Sequence, residues 1–137
     1  MVPSLEAFRR ATGVYWGTGS GIESGRFVGR VRVEPAVAGV QLHYEAWSER
    51  EGLQHREQAL LSEGPDGLRL HTAVSEMPEV LTFEAEGDSF ALRDDVGMPM
   101  RIVLLVAPPD RLHWAWWWSP PGEPLVERSK LVARRAH

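Results

Sequence analysis

Residues 27–47 read FVGRVRVEPAVAGVQLHYEAW. Two runs in this stretch alternate. In the first, Phe27, Gly29, Val31 and Val33 fall on one side and Val28, Arg30, Arg32 and Glu34 on the other. In the second, Val40, Leu42, Tyr44 and Ala46 oppose Gln41, His43, Glu45 and Trp47. A period of two marks a strand with two unlike faces, and Pro35 stops the first run because it cannot donate to a ladder. The same rhythm continues outward from this pair. Strand-like runs follow at 53–63, 68–74, 80–86, 90–94, 100–106, Arg111–Trp118 and 126–134, with a Gly-rich run at 16–21 ahead of them. Turn chemistry separates them: Gly64-Pro65-Asp66-Gly67, Glu86-Gly87-Asp88, Pro108-Pro109-Asp110 and Pro120-Pro121-Gly122-Glu123-Pro124. Connections of two to seven residues leave no room for the crossovers that parallel strands need. About ten antiparallel strands without covering helices must split into a sandwich or curl shut. With no long Greek-key connection, the expected fold is all-β: an up-and-down antiparallel barrel forming one domain over residues 1–137. A short helix precedes it, opened by Pro3 or Ser4, carrying Leu5 and Phe8 on one side and stopped by Gly13.

Composition narrows the function. The chain has 137 residues, 43% hydrophobic and 25% charged, enough for a core without staples. It has no cysteine, which excludes disulfides, thiol nucleophiles and Cys-ligated metals. A net charge of −4 gives no footprint for nucleic acid or anionic lipid. The longest apolar run, residues 102–107, is six long, against the roughly 20 of a membrane helix. Residues 1–12 lack the apolar stretch and small-residue cleavage site of a secretory signal. The expectation is a soluble, cytoplasmic domain with no nucleic-acid or membrane partner.

The candidate site depends on register. If the turn at 48–52 sets Trp47 opposite Leu53, then Glu45 faces His55 and His43 faces Glu57. Pairing Val33 with Val40 adds Arg30, Arg32 and Gln41 to the same side of three strands. Opposite charges across strands support such a register by roughly 0.2–1 kcal/mol per pair. A slip of one residue would divide the set between both faces. Two orientations compete: charged residues inside a ligand cavity, or outside with Phe27, Val31, Leu42 and Tyr44 in the core. The strand at 53–61 speaks against the second, because Gln54, Arg56 and Gln58 on its other side make a poor core. Trp114, Trp116 and Trp118 share a face with Leu112 and form a cavity wall or core layer. Trp117 points outward, where it suits a homodimer contact.

Other chemistries find little support. Gly17-x-Gly19-x-Gly21 lacks the following helix that a phosphate site needs; its glycines instead let a strand bend, with Trp16 plugging one barrel end. His43, His55 and His71 do not converge on a metal, since the turn at 65–66 sets Leu60 opposite His71 and aims that imidazole away. No serine nucleophile motif occurs. The two His-x-Glu triplets, at 43–45 and 55–57, leave a proton-transferring barrel enzyme as an alternative.

Several stretches resemble the nitrobindin-like, fatty-acid-binding-protein-like branch of the calycin barrels. They are Trp16-Gly17-Thr18-Gly19-Ser20-Gly21, Tyr44-Glu45-Ala46-Trp47, His55-Arg56-Glu57 with the Gly-Pro-Asp-Gly turn after it, and the closing run from Pro124 to Arg134. The resemblance implies a lipocalin-like, ten-stranded barrel around an apolar cavity that holds a small hydrophobic ligand or, as the alternative, haem b acting on nitric oxide or peroxynitrite. Haem would hang from a histidine in the last strand, but 126–131 contains none and His137 lies beyond; His113 or His71 would have to serve. The leading reading is a non-enzymatic barrel holding a small, partly apolar molecule with a polar or anionic head. Trp47, Trp114, Trp116 and Trp118 supply wall, and Arg30, His43, Glu45, His55 and Glu57 orient the polar end. No catalytic or metal residue is assigned.

Overall fold

A computed structural model describes residues 3–136. Helix α1 (Leu5–Arg10) is followed by ten strands: β1 (Gly13–Gly21), β2 (Gly25–Ala36), β3 (Gly39–Ser48), β4 (Gly52–Gly64), β5 (Gly67–Val74), β6 (Leu81–Glu86), β7 (Ser89–Leu92), β8 (Met100–Ala107), β9 (Arg111–Trp118) and β10 (Val126–Arg135). Each strand pairs antiparallel with its sequence neighbour, and β1 pairs with β10 to close the barrel. Closure brings two backbones very near. A Cβ on Gly17 would collide with the Val132 carbonyl, so glycine is what lets β1 meet β10 there.

In a meander of this kind the connections alternate between ends, and the two ends differ. Around the β2–β3 end the interior is packed solid with Val31, Val33, Leu42, Leu61, Leu70, Leu112 and Leu131, all buried. Helix α1 covers that end with Leu5 and Phe8. Ser4 caps the helix, accepting from the Ala7 amide at 3.2 Å. Buried Tyr15 ties helix to barrel: its hydroxyl donates to the Ala11 carbonyl at 2.7 Å, and the Arg135 guanidinium donates to it at 3.0 Å. Tyr15→Phe removes the bond to Ala11 and both bonds from Arg135, and strands a buried carbonyl. It is expected to lower stability by about 1–2 kcal/mol in urea titrations, without altering the far-ultraviolet spectrum of the barrel.

One irregularity decides the faces. Trp47 pairs with Leu53 as expected, but Ala46 then pairs with His55, leaving Gln54 bulged out of the ladder. From there on Tyr44 lies opposite Glu57 and Glu45 opposite Arg56. The bulge turns His55 and Glu57 inward and Arg56 and Gln58 outward. This corrects the expected single charged face. It also removes the poor core that the uninterrupted register implied. On the β2 side the partners sit two residues further along than expected, with Val33 opposite Leu42 and Arg30 opposite Glu45. An even shift leaves the faces unchanged.

Candidate functional site

The end opposite α1 is hollow. A cavity of about 450 Å³ opens among the β1–β2, β3–β4, β5–β6 and β7–β8 connections and the start of β10. Phe27, Tyr44, Trp116 and Trp118 line it with rings, and Met77, Met98 and Met100 with thioethers. Polar groups enter from Gln54, His55, Glu76, Arg128 and the mouth residues Glu23 and Glu51.

Its floor is a hydrogen-bonded bridge across the barrel. Strands β4 and β9 stand on opposite sides of the closed sheet. Glu57 from β4 is 2% exposed. Its Oε1 accepts from Trp116 Nε1 and from His55 Nε2, both at 3.0 Å, and its Oε2 accepts from the Thr72 hydroxyl. Three donors satisfy a carboxyl group that burial would otherwise penalise heavily. Phe83 meets Trp116 edge-on at 5.7 Å and Trp114 tilts against Tyr44 at 5.0 Å, sealing the floor from the packed end.

His55 stands on this floor and reaches the rim. Its Nδ1 lies 2.6 Å from Glu76 Oε2, which is also bonded to Ser75 through the other oxygen. Burial opposes a charge on His55, but hydrogen bonds and charges from Glu57 and Glu76 outweigh it and raise its pKa to about 9. Glu76 is drawn below the usual carboxyl range: its partial burial acts upward, and the bonds from His55 and Ser75 overcome it. Tyr44, edge-on to His55 at 5.1 Å, is pushed far above the ordinary phenol value by burial and by the two glutamates, so it remains a neutral donor. Arg128 closes the β10 side. Its Nε donates to the Trp118 carbonyl at 2.9 Å, and its guanidinium lies over the Trp118 ring at 5.8 Å.

Of the residues singled out from sequence, His55, Trp116 and Trp118 line the cavity, and Glu57 lies in its floor with Trp114 packed on Tyr44 beneath. Arg30, His43, Glu45 and Trp47 do not; strand alternation places them on the outer face. There Arg30 pairs with Glu45 and stacks on Trp16 and Trp47 at 5.5 and 5.6 Å. Trp16 is 46% exposed within this outer cluster, rather than plugging a barrel end. The sequence reading missed Thr72, Glu76, Arg128 and the three methionines. Thr72 was visible in principle, as the polar member of an inward set with Leu68 and Leu70; residues 76, 77 and 98 lie in connections, where periodicity is silent.

The donor set can be tested against haem. His71 points outward, its Nδ1 3.1 Å from the Thr82 hydroxyl, and His113 alternates outward between Leu112 and Trp114. His55 is the one histidine lining the cavity among the described residues, and both its ring nitrogens are engaged by carboxyl groups. These residues do not fit an axial haem ligand. His137 lies outside the described residues. No group of three or more His, Asp or Glu side chains suited to a metal ion occurs among the described residues.

A closed ten-strand meander with a helix over one end and a hollow at the other defines a lipocalin-like barrel. Among solved structures it is similar to Rv2717c from M. tuberculosis, at 18% identity and TM-score 0.64 over 100% of this chain and 99% of that one. It is also similar to the S-type phycobiliprotein lyase CPES from Guillardia theta, at 13% identity and TM-score 0.59 over 96% and 92%. No family model and no curated protein matches the sequence.

Proposed function

We propose that the protein is a binding barrel whose open end holds one small, partly apolar molecule. The observation that carries this reading is the asymmetry of the interior. One half is filled by side chains, whereas the other leaves about 450 Å³ walled by rings and thioethers above a satisfied polar floor. A concave, mostly apolar site with a few convergent polar groups is what small-molecule recognition requires. The likeness to a phycobiliprotein lyase is in keeping with it. Within the cavity Tyr44 offers a neutral hydroxyl donor, and the glutamates near it offer acceptors. The resemblance to nitrobindin-like barrels is in keeping with the architecture; the haem that it also implies finds no free histidine in the cavity among the described residues. Proton transfer is disfavoured on similar grounds. His55 has both nitrogens bonded and a pKa near 9, so it offers little base at neutral pH.

Filling the hollow tests the proposal. Ala46 lines the cavity and is buried. Titration with the neutral fluorophore N-phenyl-1-naphthylamine is expected to show one saturable site. Ala46→Phe and Met77→Trp, which add bulk at two separate walls, should each weaken it at least tenfold with the fold intact. Unchanged affinity in both variants would refute the cavity as the site.

A further inference from the structure

We infer that the cavity selects an apolar organic cation, such as an alkyl or aryl amine or a quaternary ammonium, over a carboxylate with the same body. This rests on the cavity being the binding site and adds the charge of its guest. Both basic side chains at the cavity are already committed. His55 lies between Glu57 and Glu76, and Arg128 has Glu23 at 4.0 Å and Glu123 at 3.8 Å besides its stack on Trp118. An incoming anion therefore meets no cation without a carboxyl partner. Glu51 at the mouth, by contrast, has no basic group within 4.0 Å among the described residues.

The loops around the opening tilt the balance further. The connections at that end, residues 22–24, 49–51, 75–80, 93–99 and 119–125, carry eight acidic residues and two basic ones. That local excess of six negative charges exceeds the net −4 of the whole chain. A low-dielectric cleft ringed by one sign of charge focuses the field and concentrates counter-ions of the other. The walls suit the same guest. Ring faces of Phe27, Tyr44, Trp116 and Trp118 attract a cation through their quadrupoles, most strongly where water is excluded. Thioethers of Met77, Met98 and Met100 adapt to an irregular apolar body.

Three probes sharing one chain test this: octyltrimethylammonium, 1-octanol and octanoate, titrated below micellar concentration and followed by tryptophan fluorescence. At low ionic strength the ammonium is expected to bind at least tenfold more tightly than octanoate, with octanol between. Half-molar sodium chloride should shrink that preference. Glu79→Lys, on the exposed 75–80 connection at the same end but outside the cavity lining, should reduce it at least twofold while leaving octanol unaffected. Octanoate binding as tightly as the ammonium, with octanol still bound, would overturn the cationic preference and leave the binding barrel standing. Failure of all three to bind would overturn both.

Discussion

Glu57→Ala is expected to lower the unfolding free energy by about 3–5 kcal/mol, measured by denaturant titration at neutral pH. The side chain is 2% exposed and is the shared acceptor for Trp116, Thr72 and His55. Removing it leaves three donors facing one another across the barrel, two of them on buried residues. Each stranded buried donor costs roughly 1–3 kcal/mol. Loss of the carboxyl group itself returns part of its desolvation penalty, which keeps the total below the sum. Glu57→Gln retains the shape and one acceptor oxygen, so its loss should be smaller, about 1–3 kcal/mol. A change under 1 kcal/mol for the alanine variant would mean that the floor is not held by this bridge. The bridge also positions His55 and Trp116, so probe binding should fall together with stability.

The second large effect is on pH. His55 titrates near 9 in the fold against an ordinary 6.5, because Glu57 and Glu76 prevail over its burial. A raised value means that folding favours the protonated form. Its contribution is complete below about 6.5 and disappears as pH rises through about 9. A shift of this size corresponds to about 3 kcal/mol. Denaturation midpoints between pH 6.5 and 9.5 should therefore fall steadily, below the range in which buried Tyr44 ionises in the fold. His113 is held below its ordinary value by burial and by Lys130 and Arg111, so its influence lies below 6.5 and leaves this window clear. His55→Gln should flatten the profile. A wild-type protein equally stable at 6.5 and 9.5 would show that His55 is not charged in its place.

The architecture was legible because it rests on periodicity and turn chemistry, which neighbouring residues carry. The alternation at 27–34 and 40–47 and the short connections required an antiparallel meander. The pairs Trp47–Leu53 and Leu60–His71 are those that the turns specify. The site was less legible because one residue, Gln54, drops out of the ladder. A single bulge leaves composition and alternation on each side untouched, yet exchanges faces beyond it. Arg30, His43 and Glu45 therefore part company with His55 and Glu57. The trace of that break was the run Gln54, Arg56 and Gln58, which suited no core. Glu76 and the methionines of the connections were beyond the reach of pattern. They enter the cavity only because alternate loops of a closed meander gather at one end.

A crystal soaked in iodobenzene, a neutral ring with a strong anomalous scatterer, tests the account most directly. The account predicts an iodine peak inside the barrel, between Phe27, Trp118 and Met100 and above the Glu57–Trp116 bridge, at one site per chain. Iodine found only on the outer Trp16–Trp47 face, with side chains filling the open end, would contradict it.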